Sequence, residues 1–183
     1  MFELMTGLGL AMPAGLNAYI PLLAIALADR YTGLIQLAAP YDAVASPWAI
    51  VIVSILLGIE IVADKVPIID HINDLVQSFI RPAAGAILVM ASTDAVQTIN
   101  PVMAMILGLV VAGGVHTAKS TFRPVVTATT GGVGNPVVSA TEDGAAICMS
   151  VIALVAPILI GVILIVLLTL TLMVLRRRRT STA

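Results

Sequence analysis

The sequence predicts an all-α fold, a polytopic membrane helix bundle with about five membrane-spanning helices. Hydrophobic residues make up 60% of the 183 residues and charged residues only 10%, whereas about a quarter of an average soluble domain is charged. So few charges cannot coat a water-exposed surface, and the long apolar segments indicate that lipid is the solvent. We therefore expect one integral membrane domain over residues 1–175 and a basic tail at residues 176–183.

Five apolar segments are the candidate membrane-spanning helices. The first has Glu3 and no basic residue ahead of it, so it lacks the basic region of a cleaved signal peptide, and we expect it to be retained. The last is long enough to cross with a tilt or to project beyond the bilayer. In chain order, the five segments are residues 4–28, 48–63, 82–96, 101–118 and 145–175.

Two further segments are too polar to be read as simple spans. In residues 67–80, apolar residues recur at helical spacing opposite Asp70, Asn73, Asp74 and Gln77, which predicts an amphipathic helix lying at the membrane interface or folded partly into it. Residues 119–143 are rich in Thr, Gly, Asn and Pro, so we expect no helix there. At membrane depth, such irregular backbone is tolerated only inside protein or beside water.

The basic residues predict the orientation. The positive-inside rule places the arginines at 176–179 in the cytoplasm, so that five crossings leave the N-terminus outside. Four crossings, with residues 82–96 only re-entering the membrane, fit the remaining basic residues better and stay the alternative. We favour five because residues 82–91 are apolar. Both topologies predict a multi-pass protein of the inner (plasma) membrane with a cytoplasmic C-terminus.

A weak internal repeat would divide the chain near residue 99. One constant shift aligns residues 8–10 with 107–109, both Leu-Gly-Leu, and places Asn17 opposite His116. With an odd number of crossings between the matched segments, the halves would form an inverted repeat, as in many transporters. Shared small-residue packing patterns of membrane helices are the alternative explanation.

Asn17 is the candidate ligand within the first segment. Pro13 and Pro21 flank it, and each proline removes a backbone donor and frees a carbonyl group. We therefore expect the helix to loosen near Gly15 and Asn17, where carbonyls and the amide could coordinate a solute or an ion. A kink packed against a neighbouring helix is the alternative.

Charged residues from distant parts of the chain are expected to meet on one side of the membrane. Glu60 and Asp64 are four residues apart, and His116 and Lys119 three, so each pair shares a helix face. Ionisable groups at such depth usually face a bundle interior or a water-filled cavity. The candidate substrate-binding or ion-binding residues are Asn17, Glu60, Asp64, Lys65, Asp70, Arg81, His116, Lys119, Arg123, Asn135, Glu142 and Asp143.

Glu60 and His116 are the deepest members of this set. A carboxylate near an imidazole can exchange protons close to neutral pH, so we expect these two residues to carry or relay charge. Lys65, Lys119 and Arg123 would pair with Glu60 or attract an anionic group. A salt-bridge network that merely holds the helix ends together is the alternative for the whole set.

Several functions lack their required residues. The lone Cys148 excludes an internal disulfide and a multi-cysteine metal site. There is no Walker A, HExxH or GxSxG motif, and no basic face interleaved with aromatic residues for nucleic acid. We expect no cofactor, no nucleic-acid partner and no enzymatic activity; the sequence does not define a metal ligand set.

The polar residues form an ordered pattern that resembles a known family. Its blocks are Gly15-Leu-Asn-Ala, Glu60-x3-Asp64-Lys65-x-Pro67-x2-Asp70-x3-Asp74, Ile80-Arg81-Pro82, His116-x2-Lys119-x3-Arg123 and Asn135-Pro136-x2-Ser139-x2-Glu142-Asp143. The pattern resembles the small prokaryotic integral membrane proteins catalogued as domain of unknown function 4126. The resemblance covers most of the chain, and the Asp-Lys-x-Pro-x2-Asp block is its most specific part. It implies a membrane location and no particular substrate.

The leading functional hypothesis is a small transporter or channel-like protein that moves an ion or a small polar or anionic solute through this polar site. The alternatives are a protein that binds phosphorylated lipid headgroups and a scaffold subunit of a larger membrane complex. Membrane lipids are the expected partners in each case. A bundle of about five helices has little interior room, so we also expect a homodimer or a larger homo-oligomer.

Overall fold

The computed structural model describes residues 2–37, 39–65, 67–92, 100–162, 166, 169 and 173, and for residues 67–72 it describes the backbone alone. These residues are helical or irregular and contain no strand, so the all-α prediction is confirmed for this part of the chain. The predicted basic tail at residues 176–183 lies outside it. In chain order, the helices are α1 (Phe2–Ala14), α2 (Tyr19–Tyr31), a 3₁₀ helix (Tyr41–Ala45), α3 (Pro47–Ala63), α4 (Pro67–Ser92), α5 (Pro101–Thr130) and α6 (Asn135–Val155).

Three of these helices are long and apolar enough to cross a membrane: α5, α6 and, in α4, the part from Asn73 to Ser92. α3 is apolar but shorter. α3 and α5 begin at strong start signals. A proline occupies the first helical turn of each, and the Ser46 and Asn100 side chains accept hydrogen bonds from the backbone N–H groups of Ala49 and Val102.

The outside of the bundle is apolar. Large aliphatic and aromatic side chains stand exposed on α3, α4, α5 and α6, where a soluble protein would place charges. This surface fits lipid as the surrounding solvent. Examples are Val51, Ile55, Ile59, Leu75, Phe79, Met103, Ile106, Val110, Ile147 and Val155.

The helices from α3 to α6 alternate in direction. The end of α3, the start of α4, the second half of α5 and the start of α6 therefore lie together at one end of the bundle, and this end carries polar side chains. Asn73, near the start of α4, donates a hydrogen bond from Nδ2 to Asp64 Oδ1 just after α3 (2.8 Å). α5 contributes Arg123 to the same end, where its Nη2 lies 2.7 Å from Glu142 Oε2 of α6. We call the end of the bundle that contains these four residues the polar end.

The first apolar segment does not form one span. α1 reaches the polar end, where the carbonyl oxygen of Leu16 accepts a hydrogen bond from Lys119 Nζ (2.9 Å). α2 then runs away from that end, because Arg30 in its last turn donates to the carbonyl oxygen of Ala45, just before α3 begins. α1 and α2 therefore form a helical hairpin with its tip at residues 15–18, which corrects the expectation of a single span at residues 4–28.

Local chemistry explains why the helix turns back rather than continuing. Asn17 Oδ1 accepts hydrogen bonds from the backbone N–H groups of Tyr19 (3.1 Å) and Ile20 (3.3 Å), so the side chain starts a new helix. Pro21 follows in the first turn of α2, where its missing N–H needs no partner. Gly15 lies so close to Ala112 and Val115 of α5 that a side chain there would overlap them.

α4 joins two elements that the sequence separates. The expected interfacial helix at 67–80 and the third span at 82–96 are one continuous helix as far as Ser92, and residues 93–96 lie outside the described part. Its amphipathic half points its polar face inward, since Gln77 and Arg81 are buried and Leu75 and Phe79 are exposed. An interfacial helix would turn that face to water, so the interfacial prediction is wrong in orientation as well as in extent.

The segment at 119–143 is also largely helical, contrary to expectation. α5 continues through it to Thr130, and α6 starts at Asn135, leaving only Gly131–Gly134 as a turn. Gly131 ends α5 in the left-handed conformation, with φ of 60°. Helix persists before it because Lys119 and Arg123 have buried partners and Thr127 and Thr130 satisfy their hydroxyls on carbonyls of the preceding turn.

Small residues allow the central helices to approach closely. α5 buries a stripe of Ala104, Gly108 and Ala112, and the backbones of Gly85 in α4 and Gly108 in α5 lie in contact. Membrane helices use such residues because close backbone packing supplies the association energy that the hydrophobic effect cannot. The same stripe of α5 continues into the polar end as His116.

The proposed inverted repeat does not agree with the direction of the helices. The matched segments lie in α1 and α5, and both helices run towards the polar end: Gly7 of α1 packs against Val89 of α4, and Gly15 packs against Ala112 of α5. An inverted repeat requires opposite directions. The matched residues also differ locally, because Asn17 lies in the hairpin tip and His116 inside a continuous helix.

Candidate functional site

Ionic side chains of four helices converge at the polar end and form one buried network. We call this set the charge cluster, and its members are linked by ion pairs or, for the histidine, by a hydrogen bond. It consists of Glu60, Asp64, Asp74, Arg81, His116, Lys119, Arg123 and Glu142.

Asp64 is the centre of the charge cluster. Its Oδ2 lies 3.0 Å from Lys119 Nζ, 3.4 Å from Arg123 Nη2 and 3.8 Å from Arg81 Nη2. Its Oδ1 accepts the hydrogen bond from Asn73 already described. One carboxylate that is 1% exposed thus faces three cations from two helices, an arrangement in which the removal of any partner leaves a buried charge uncompensated.

Arg81 connects Glu60 with His116. Its Nη2 donates to Glu60 Oε1 at 2.9 Å, and its Nη1 lies 2.9 Å from His116 Nδ1 and 3.6 Å from Asp74 Oδ1. Arg81 is fully buried, and Glu60 is 1% exposed. We expected Glu60 to pair with Lys65, Lys119 or Arg123; its ion-pair partner is instead Arg81.

The contacts of His116 define its tautomer. Arg81 can only donate, so Nδ1 must accept, and the ring proton therefore resides on Nε2. Nε2 then donates to Ser78 Oγ (3.0 Å), and Ser78 in turn donates to the backbone carbonyl oxygen of Asp74 (2.8 Å). In this arrangement, the His116 ring is neutral, and its Nε2 hydrogen and the Ser78 hydroxyl hydrogen each have an acceptor.

Lys119 ties the charge cluster to the hairpin tip. Its ammonium group has three hydrogens, and three acceptors surround it: Leu16 O at 2.9 Å, Asp64 Oδ2 at 3.0 Å and Glu142 Oε2 at 3.2 Å. A second link lies beside it, since Asn17 Nδ2 donates to Asp143 Oδ1 at 3.0 Å. The non-helical backbone of the tip is therefore held by charged residues of α5 and α6.

The replacement Asn17→Ala tests this link. We expect it to lower the free energy of unfolding by about 1 to 2 kcal/mol, because α2 loses its cap, and to destabilise the hairpin further through the lost bond to Asp143. Asn100→Ala is the matched control, since Asn100 caps α5 through Val102 N and has an exposed side chain. Equal losses for the two variants in detergent unfolding experiments would contradict the role of Asn17 as a tertiary link.

Four polar atoms next to the Glu60–Arg81 pair are buried without a hydrogen-bond partner: Glu60 Oε2, Asp74 Oδ1, Gln77 Oε1 and Arg81 Nε. Gln77 and Tyr19 lie beside this pair, with Tyr19 within electrostatic range of Glu60 and Arg81. Buried polar atoms of this kind are normally satisfied by ordered water. Among the described residues, no group of three or more His, Cys, Asp or Glu side chains could hold a metal ion.

Not every predicted residue belongs to the charge cluster. Lys65 Nζ donates to the carbonyl oxygen of Ile61 in the last turn of α3, and Asn135 pairs with Thr127 beside the α5–α6 turn. The side chain of Asp70 lies outside the described residues. Ser78 was not predicted, because only its distance from His116 reveals its role and no sequence spacing carries that information.

These features define a class: the protein is a helical integral membrane protein with an apolar exterior, a helical hairpin and a buried charge cluster at the hairpin tip. The family model described as Domain of unknown function (DUF4126) matches residues 4–177. The chain belongs to this family, which confirms the resemblance inferred from the polar blocks. No curated protein and no solved structure matches the chain.

Proposed function

We propose that the protein is a small membrane transport protein and that the charge cluster is the site through which an ion or a small polar solute passes. The observation that carries this proposal is the position of the hairpin tip. Half-helices whose broken backbone meets buried charges are typical of transporter sites, because helix ends and free carbonyls can bind ions within the membrane. Here Leu16 offers such a carbonyl to Lys119.

The contacts of the hairpin tip supply a replaceable part for this function. Two charged residues hold the tip, with Lys119 bound to Leu16 O and Asp143 bound to Asn17 Nδ2. We propose that water or a bound ion takes the place of these polar contacts during transport. The closely packed helices α1, α4 and α5 form the rigid frame, because their backbones touch at Gly15 and Gly85.

The geometry favours transport over the alternative of lipid-headgroup binding. A phosphate site needs basic groups with free hydrogen-bond donors facing the ligand. Lys119 is 5% exposed and Arg123 is 2% exposed, and both are held by Asp64 and Glu142. The same neutralisation argues against a strongly anionic solute and in favour of a cation, a proton or a neutral polar solute.

The hairpin also suggests a topology. With α1 and α2 entering and leaving at the same end, α3, α4, α5 and α6 make four crossings. The end remote from the charge cluster then carries Arg30 in the last turn of α2. The cytoplasmic position of the basic tail and the inner-membrane location stay predictions from the sequence. The homo-oligomer stays a prediction.

A flux experiment tests the proposed function. Purified protein in liposomes is given gradients of H⁺, Na⁺, K⁺ and Cl⁻ in turn, and fluxes are followed with dyes trapped inside. We expect wild-type vesicles to exceed empty vesicles for at least one ion. Lys119→Met should abolish that flux, because it removes the only side-chain contact with Leu16 O among the described hydrogen bonds.

Lys65→Met is the matched control, because Lys65 follows Asp64 directly in the chain and its described side-chain contact is with the carbonyl oxygen of Ile61 in the last turn of α3. It should keep the wild-type flux. The proposal fails if wild-type vesicles conduct none of these ions, or if Lys119→Met conducts as well as the control.

A further inference from the structure

A groove between α4 and α5 leads to the charge cluster. It has a volume of about 390 Å³, enough for several water molecules at about 30 Å³ each. Apolar residues line one part of the groove, and the part nearest the polar end carries hydroxyls and an imidazole. Its polar lining residues are Ser78, His116, Thr117 and Ser120.

The hydroxyl groups in the groove are arranged to accept hydrogen bonds. Ser78, Thr117 and Ser120 each use their hydrogen on a backbone carbonyl oxygen, at 2.8, 2.8 and 3.1 Å. Their remaining lone pairs suit a ligand that donates hydrogen bonds. Water and hydronium are such ligands, whereas an anion is not.

His116 lies where this groove meets the charge cluster. Nε2 already carries a proton and donates it to Ser78, so a second proton must bind Nδ1. That atom accepts the hydrogen bond from Arg81 Nη1. A doubly protonated ring and the guanidinium would then face each other as two donors and two cations, and Arg81 would have to withdraw from the ring.

The charge cluster has an acceptor surface for the displaced arginine. Glu60 Oε1, Asp64 Oδ2 and Asp74 Oδ1 already surround Arg81 at 2.9, 3.8 and 3.6 Å. The described ion pairs bring four carboxyl groups against three cations, so with all four ionised one further positive charge balances this buried site.

Charged groups from every element packed against His116 act on the ring. Burial is the largest effect and opposes a positive charge on the ring, as do Arg81 of α4 and Lys119 of α5, while Asp74 of α4 and Asp64 after α3 favour one. His116 can therefore hold a second proton only if Arg81 moves towards the carboxyl groups of Glu60, Asp64 and Asp74. This movement couples protonation of the ring to α3 and α4, which position these carboxyl groups.

From the groove and these contacts, we propose that the transported or coupling ion is the proton, that it enters through the groove between α4 and α5, and that His116 takes it up by displacing Arg81. This inference rests on the proposed transport function and names its substrate class. One O–H bond of hydronium from the groove breaks, an N–H bond forms at His116 Nδ1 and water is left behind, while the hydrogen bond from Arg81 Nη1 to Nδ1 is lost.

Histidine NMR tests the uptake step without a flux assay. The chain has two histidines, His71 and His116, and a His71→Gln sample assigns the remaining ring signals in ¹⁵N-histidine-labelled protein. At alkaline pH, we expect the neutral tautomer with the proton on Nε2. Acidification from about pH 8 to below the ordinary histidine range, which ends at about pH 5, should convert it to the doubly protonated ring. A proton on Nδ1 at alkaline pH, or no change on acidification, would overturn the proposal.

Thiol labelling tests the entry route. In a Cys148→Ala background, Ser120→Cys in the groove should react with a water-soluble thiol reagent in intact vesicles. Ile106→Cys is the control, because Ile106 is 46% exposed on the apolar surface of α5 and should face lipid. Equal rates at the two positions would show that the groove holds no water and would overturn the entry route.

Proton flux in vesicles that contain the His116→Asn variant tests whether uptake by His116 is required for transport. The asparagine oxygen replaces Nδ1 as an acceptor for Arg81 but does not titrate in this range, so we expect acid-dependent proton flux to disappear while the thermal stability stays near that of the wild type. A variant that conducts protons normally contradicts the inference. Potassium flux without proton flux in wild-type vesicles would contradict the inference but agree with the proposed function. The absence of flux for every ion tested would contradict the proposed function itself.

Discussion

Replacing Asp64 by asparagine should lower the free energy of unfolding by about 3 to 5 kcal/mol, the usual cost of removing one partner from a buried ionic network. The carboxylate is within 3.8 Å of three cations, Lys119, Arg123 and Arg81. An amide keeps the shape and the hydrogen bond to Asn73 but leaves these cations without their shared negative charge. Equilibrium unfolding of the purified protein in mixed detergent measures the loss.

Asp42→Asn is the matched control for this change, because Asp42 lies exposed in the 3₁₀ helix at the opposite end of the bundle. It should change the stability by well under 1 kcal/mol, as surface substitutions usually do. If Asp64→Asn unfolds at the same detergent composition as this control, the charge cluster contributes nothing to folding and the geometry of Asp64 is not what holds α3 to the bundle.

Replacing Gly85 by alanine is expected to destabilise the protein by about 1 to 3 kcal/mol or more, the range found for overpacked interiors. A Cβ at Gly85 would overlap Ala112 and the carbonyl oxygen of Gly108, and that oxygen belongs to a helix backbone that cannot move alone. α4 and α5 would have to separate. Their separation would also pull Arg81 away from His116, so the variant should lose acid-dependent proton flux together with stability.

Gly58→Ala controls for the intrinsic effect of a methyl group in a helix. Nothing lies within 4 Å of a Cβ at Gly58, so alanine should stabilise α3 by up to about 1 kcal/mol through its higher helix propensity. The two glycine variants should therefore change the unfolding free energy in opposite directions. A stabilising Gly85→Ala would show that the two backbones are not in contact.

The alternative of a purely structural salt-bridge network makes a different set of predictions. It also expects Asp64→Asn to unfold more easily, because any buried network responds in that way. It does not expect Lys119→Met and His116→Asn to remove a flux that Lys65→Met retains. Stability and flux measured on the same preparations therefore distinguish a structural network from a transport site.

Much of the fold follows from local sequence, but the path of the first apolar segment, residues 4–28, also depends on residues far away in the chain. The prolines and Asn17 predict a break near Gly15, and the break is there. Whether the chain continues across the membrane or turns back depends on the bonds from Lys119 and Asp143 to the tip. Those residues lie more than a hundred positions away, and no local pattern specifies that contact.

The candidate site shows the same division. Four-residue and three-residue spacing predicts that Glu60 shares a face with Asp64 and His116 with Lys119, and both pairs enter the charge cluster. Spacing within one helix does not reveal which helix lies opposite. Glu60 was therefore assigned the wrong cation, and Ser78 was missed as the acceptor of the His116 proton.

By itself, the sequence determined the solvent, the helical class and the family, because composition and the order of the polar blocks are properties of the chain alone. It also determined which charges are too deep to be ordinary surface residues. Tertiary structure decided the rest: the hairpin, the inward turn of α4, the extension of α5 and the centring of the network on Asp64. Buried charges are stable only beside partners, and partners are chosen by helix packing in three dimensions.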